Sequence, residues 1–193
     1  MLSVEYITNY IFNSRTYILT KPDNNDVWLV DCGDIDKVLE KIGKKTIVGV
    51  LLTHTHSDHI YGLQGLLNQF PNVLIYTNTY GIKALQSPQL NMSHYHSEYP
   101  DIEFNAPNNT CVLREGDSWE VLGSLLKVYE TPGHDPSCLT FIIENNAFTG
   151  DAYIPGIKVF TSFPHSKRVH AKESVERILQ LTAGYHIMPG HST

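Results

Sequence analysis

The heptad Thr53-His54-Thr55-His56-Ser57-Asp58-His59 constrains this chain more than any other stretch. It follows a continuous apolar run, residues 47–53 (IVGVLLT), which reads as a strand buried on both faces. It precedes a pattern in which Ile60, Leu63, Leu66, Leu67 and Phe70 recur at helical spacing. That pattern predicts a helix over 59–70 with Asp58 at its N-cap. If His54 and His56 leave the strand in extended conformation, their side chains point the same way. Asp58 and His59 then fall in the turn. Four ligand-type side chains within six residues thus face one small volume across a strand–loop–helix corner. Neutral imidazole and carboxylate are the ligands that Zn²⁺ and Fe²⁺ accept.

Three further segments share this architecture, each a strand-like run followed by Gly and a ligand-type residue. They are Thr131-Pro132-Gly133-His134, Phe148-Thr149-Gly150-Asp151 and Met188-Pro189-Gly190-His191. Glycine before each ligand permits a tight turn and close backbone approach to a crowded centre. Singly, each is an ordinary turn or strand end. Together with the heptad they supply five histidines and two aspartates, enough for two metal ions.

The remaining pattern alternates strands and helices. Strands are expected at 3–8, 15–20, 27–31, 47–53 and 73–77, then at 111–113, 118–122, 125–130, 138–143, 146–149 and 186–189. Helices are expected from Ile35 to Ile42, at 59–70, 78–86 and 170–182, with a long loop over 87–109. This order predicts an α/β fold with two mixed sheets and helices outside. The 193 residues fit one domain, 1–193. With 14 Lys plus Arg against 20 Asp plus Glu, the chain lacks the basic balance of a nucleic-acid binder. No apolar run approaches the roughly 18 residues of a membrane span, and no signal peptide is apparent. The three cysteines, Cys32, Cys111 and Cys138, form no CxxC pair or disulfide framework. A cytoplasmic setting and a small-molecule partner are therefore expected, and oligomeric state is left open.

From Asp31 in DCG through HTHSDH, TPGH and TGD to PGH, the sequence resembles the metallo-β-lactamase superfamily, with five motifs in order over essentially the whole chain. The resemblance implies a four-layer αββα sandwich with a metal site at one edge. It implies that His54, His56 and His134 hold a first metal and Asp58, His59 and His191 a second. Asp151 would bridge the two, and Asp31 would sit beside the site without binding metal. Two divalent ions, zinc first, with iron or manganese as alternatives, would share a hydroxide that attacks a carbonyl. Asp58 would act in catalysis by accepting a hydrogen bond from it.

Within the superfamily, TPGH followed by GDAYIPG looks most like glyoxalase II, the hydroxyacylglutathione hydrolases, without their C-terminal helical domain. This implies hydrolysis of a thioester or related ester or lactone. Tyr153 and Lys158 occupy the region where that family contacts substrate. The family often has Ser where this chain has Asp135, a departure that bears on glutathione as substrate. A carboxylate at 151 counts against antibiotic hydrolysis. Two alternatives stand: a lactonase, or a persulfide dioxygenase using one iron on His54, His134 and Asp151. Of the other histidines, His94 and His96 are expected in a surface or lid segment near the pocket. His165 and His170 flank Lys167 and Arg168 in a solvated loop, with anion binding as the weaker reading, and His186 is structural.

Overall fold

The computed structural model describes residues 1–192. Eleven strands and four helices follow in order. They are β1 (Ser3–Thr8), β2 (Arg15–Thr20), β3 (Asp26–Val30), α1 (Ile35–Ile42), β4 (Thr46–Leu51), α2 (Leu63–Gln69), β5 (Leu74–Thr77) and α3 (Thr79–Leu85). Then come β6 (Thr110–Val112), β7 (Ser118–Val121), β8 (Ser124–Glu130), β9 (Leu139–Ile143), β10 (Asn146–Gly150), α4 (Arg168–Leu181) and β11 (His186–Pro189).

Two mixed sheets result. The first has strand order β1-β2-β3-β4-β5-β6, antiparallel through β3 and parallel from β3 to β6. The second has order β11-β10-β9-β8-β7, antiparallel except for the β10–β11 pair. Residue alternation along β4 shows why the layers stack as they do. Leu51 joins Tyr17, Phe141 and Phe148 between the sheets, while its neighbours Val50 and Leu52 join Val38, Leu63 and Leu66 under α1 and α2. Period-2 side chains thereby bury both faces of one strand. On the far side, Ile178 of α4 packs on Cys138 and Ala152. The order is helix, sheet, sheet, helix: the αββα sandwich that the sequence predicts.

The chain departs from expectation where it turns into the heptad. The helix predicted over 59–70 begins only at Leu63, and Asp58 is not its N-cap; Gly62 is. Ser57–His59 instead form a separate 3-10 turn, closed by His59 N–H to the His56 carbonyl at 2.9 Å. Two bonds to the segment after β3 hold this turn out of the helical ladder. Cys32 N–H reaches the His59 carbonyl at 2.8 Å, and Gly62 N–H reaches the Cys32 carbonyl at 3.0 Å. A Cβ at Gly62 would overlap the Gly33 carbonyl oxygen. Strands 27–31 and 47–53 also end early, at Val30 and Leu51. Asp31 turns into the left-handed region at φ 60°, and Thr53 gives its carbonyl to Leu139 N–H of the second sheet at 2.7 Å. Residues 87–109 are the predicted excursion, relieved by 3-10 turns at Ser93–Tyr95 and Pro107–Asn109. No described helix is long and apolar enough to cross a membrane.

Gly133 is a second tight point: its φ is 138°, and a Cβ there would overlap the Ala171 backbone of α4. Replacing it combines backbone strain of about 1–3 kcal/mol with a clash. Gly133→Ala should therefore lower the urea midpoint clearly. Gly184→Ala, at φ 82° with open space around it, should cost only the backbone strain of a positive φ, with no clash added. Equal effects in urea denaturation would refute the close-approach argument.

Candidate metal centre

Five strand ends meet at one edge of the sandwich. β3 delivers Asp31, β4 delivers the heptad, β8 leads to His134, β10 to Asp151 and β11 to His191. The imidazoles come together closely. Ring centroids of His54 lie 4.7 Å from His56, 4.2 Å from His59 and 5.1 Å from His134. Three sets have ligand atoms all within 4.8 Å of one another: His54, His56 and His134; His54, His59 and Asp151; and Asp58, His59 and His191. The first and third are the sets expected from the sequence. Asp151 stands between them, with Oδ2 at 3.6 Å from His134 Nε2 and 3.4 Å from His191 Nε2, and Oδ1 at 3.7 Å from His59 Nε2.

The outward nitrogens of three rings are occupied, which turns their other nitrogens toward the cluster. His134 Nδ1 donates to the Phe160 carbonyl at 2.9 Å, and His191 Nδ1 to the Phe12 carbonyl at 3.1 Å. His59 Nδ1 donates to Asp31 Oδ2 at 2.9 Å. Asp31 is itself fixed by Thr53, whose N–H and Oγ1–H each donate to it at 2.7 Å. His56 turns Nδ1 inward, 3.0 Å from His134 Nε2, and its Nε2 faces Asp135 Oδ2 at 3.5 Å. Inside the cluster, His54 Nε2 and Asp151 Oδ1 are buried with no hydrogen-bond partner among the described residues. Leaving buried polar atoms unpaired costs about 1–3 kcal/mol each. Orphaned lone pairs of nitrogen and oxygen, ringed by oriented imidazoles, are the donor set of a divalent-cation site.

The charges divide the cluster in two. Burial, reinforced by His56, pushes His134 down to about 4, and His54 likewise falls well below the ordinary histidine value. These rings are neutral. Burial would also lower His191, but its bonds to Asp151 and Asp58 outweigh that and raise it to about 9. His59 is raised too, the Asp58 and Asp31 charges overcoming its burial. Burial would raise Asp151, yet the His191 bond and the neighbouring His59 and His134 bring it to about 2. Asp58 lies well below the carboxylate range for the same kind of reason, through His59 and His191. Both carboxylates are therefore anionic near neutral pH.

A cavity of about 300 Å³ opens over the cluster, reaching His56, Asp58, His134, Asp151 and His191. Its other walls are Phe12, Met92, His96, Phe160 and Phe163. Sequence reasoning missed the three phenylalanines and Met92, which come from irregular loops without periodic signal. It noted Asp135 only as a departure, whereas the structure buries it beside His56 and binds it to the Ser137 N–H at 2.8 Å. His96 lines the mouth, stacked on Tyr99 with centroids 5.4 Å apart, and Tyr99 Oη meets Ser57 Oγ at 2.8 Å. His94 is exposed and pairs with Asp101 at 3.1 Å. His165 lies beside Tyr80, and His186 is exposed at the start of β11. Lys158 borders a small cavity of about 70 Å³ that touches His134 and Asp151. Tyr153 instead packs on Cys138, Ala152 and Ile178 under α4. Cys32 and Cys138 are buried, and burial pushes both thiols up, away from reactivity.

Comparison with known proteins places the fold and the family. A hydroxyacylglutathione hydrolase of Pseudoalteromonas translucida (strain TAC 125) is 30% identical over 150 residues, covering 77% of this chain and 48% of the relative. The chain spans about half the length of the curated hydroxyacylglutathione hydrolases it matches. Among solved structures, the BLEG-1 B3 metallo-beta-lactamase superposes with a TM-score of 0.89 at 23% identity, over 99% of this chain and 92% of that one. TTHA1623 in a di-iron-bound form gives 0.81 at 21% identity, over 98% and 93%. These structural likenesses speak to the fold. A family model described as the metallo-beta-lactamase superfamily matches residues 11–191, and the chain belongs to that superfamily.

Proposed function

We propose that this chain is a binuclear metal-dependent hydrolase of a thioester, or of a related ester or lactone, in the manner of glyoxalase II. Residues 1–193 would act as one domain. The observation that carries the reading is Asp151, an anion set between two groups of imidazoles with a buried oxygen that has no partner. His54, His56 and His134 would hold one ion and Asp58, His59 and His191 the other, with Asp151 on both. Seven ligand-type side chains in three overlapping close groups are more than one ion takes up, which favours two ions over one. Two divalent ions supply an acidified water and a Lewis acid for a carbonyl oxygen.

The chain's own groups do the rest. The Asp58 carboxylate, with Oδ2 at 3.3 Å from both His59 Nε2 and His191 Nε2, is held as an anion at the cavity floor. There it would orient the attacking water by accepting a hydrogen bond from it. Phe12, Phe160 and Phe163 shield the reacting carbonyl from bulk water, which strengthens charge interactions below them. Asp31 fixes the His59 ring through Nδ1, so that Nε2 stays aimed inward. Asp135 places its negative charge 3.5 Å from His56 Nε2 on the opposite side.

Stripping metal with a chelator should abolish hydrolysis of a thioester and lactone panel, and reloading should restore it with two ions per chain. Asp58→Ala, which removes both a ligand of the second ion and the group that orients the water, should lower kcat by about 10²-fold or more and lower the metal content with it, and unchanged metal content would refute the assignment. One iron per chain together with oxygen uptake would overturn the binuclear reading. Asp31→Asn, which cannot pair with His59 as an anion, should weaken metal affinity by about 10–100-fold, read by competition with a chromophoric chelator. Unchanged affinity would remove Asp31 from the support of the site.

The protonation pattern gives a pH test on the metal-free protein. His191 rises from an ordinary 6.5 to about 9 in the fold. Its ion pair with Asp151 and Asp58 thus stabilises fully below pH 6.5, and that contribution fades as pH climbs through about 9. The melting temperature of chelated protein should fall across this window, and His191→Gln should flatten the fall. Metal uptake near pH 7 should also release protons, seen as calorimetric heats that vary with buffer ionisation enthalpy. Buffer-independent heats would contradict it.

A further inference from the structure

Residues 158–172 contain Lys158, Lys167, Arg168 and Lys172 and no Asp or Glu, in a chain whose net charge is −6. The fold brings the two ends of this segment face to face. The loop after β10 lies against the first half of α4, leaving a groove of about 460 Å³. Its floor is apolar, made by Tyr153, Val159, Ala171 and Val175, with Ile157 still 48% exposed. Its rim carries Lys158, Arg168 and Lys172. Lys158 and Arg168 form no ion pair among the described residues. Lys172 has only a loose contact with Glu176, the one acidic residue on the groove, at 3.8 Å.

The groove is separate from the metal cavity. Residues Ile157 to Val159 form the wall between them, and the small cavity that touches His134 and Asp151 lies on the other side. The volume falls within the roughly 300–1,000 Å³ of small-molecule sites, which are mostly apolar with a few placed polar groups. Exposed apolar surface next to unpaired cations is the complement of one class of molecule, an apolar chain that ends in an anion.

We propose that this groove binds an amphipathic carboxylate, with its aliphatic chain along Tyr153, Val159 and Val175 and its carboxylate against Lys158 and Arg168. The site works without metal and does not depend on the thioester reading. Decanoate titrated calorimetrically into the protein should bind saturably at one site per chain, and binding should survive chelation of the metal. Lys158→Glu with Arg168→Glu should weaken it about tenfold or more, the weight of a charge-assisted contact. Both positions are exposed, and an unchanged melting temperature would verify that the pair folds. Val175→Glu, on the floor, should weaken it as much, and decanol should bind about tenfold less well. Absent saturation, loss of binding on chelation, indifference to charge reversal or equal affinity for decanol would each overturn the proposal.

Discussion

One buried carboxylate holds the edge of this molecule together. Asp31 receives the backbone N–H and hydroxyl of Thr53 at the end of β4 and the ring N–H of His59 in the 3-10 turn. It therefore fixes the start and the finish of the heptad relative to β3. The left-handed backbone at Asp31 is the local strain that lets the side chain fold back over the strand ends. Cys32 and Gly62 then lock the same corner through main-chain bonds. With that corner set, the other strand ends need only bring one residue each. His134, Asp151 and His191 arrive on short glycine-bearing turns whose backbones pass too close to their neighbours for a side chain.

Such a cluster is a burden to the protein that carries it. Five imidazoles and two carboxylates crowd one sheet edge, with two inward atoms unpaired. In the metal-free state His59 and His191 keep protons to balance Asp58 and Asp151, while His54 and His134 stay neutral. The half that includes Asp58 thus stabilises itself by ion pairing, and the half built on His54 and His134 cannot. The scaffold around them answers with rigid packing, from Leu51 and Phe141 between the sheets to Val50 and Leu63 beneath the helices.

Much of this was legible in the sequence because ligand residues and strand ends coincide along the chain. The heptad is contiguous, so its convergence follows from alternation at the end of β4. The layer order follows from apolar runs and their spacing. The start of α2 was not legible, because Ile60, Leu63 and Leu66 keep helical spacing whether or not the backbone is hydrogen-bonded as a helix. What held residues 57–62 out of the helix was the segment at Cys32, distant in sequence. The packing of Tyr153 was illegible for a related reason. The residue follows Asp151 closely in the chain, yet packing under α4 draws it away from the cavity. Phe12, Met92 and Phe163 gave no signal at all, because they reach the mouth from irregular loops. Asp135 stood out as an unusual residue, but only the geometry placed it against His56.

Phe12 and Phe160 each serve the site twice. Their carbonyls hold His191 and His134, while their side chains wall the mouth. The carbonyl belongs to whatever residue occupies the position. Substitution at these places can therefore resurface the entrance while the ring anchors stay in place. The fold separates the surface that an incoming molecule meets from the cluster beneath it, down to two parts of the same residue.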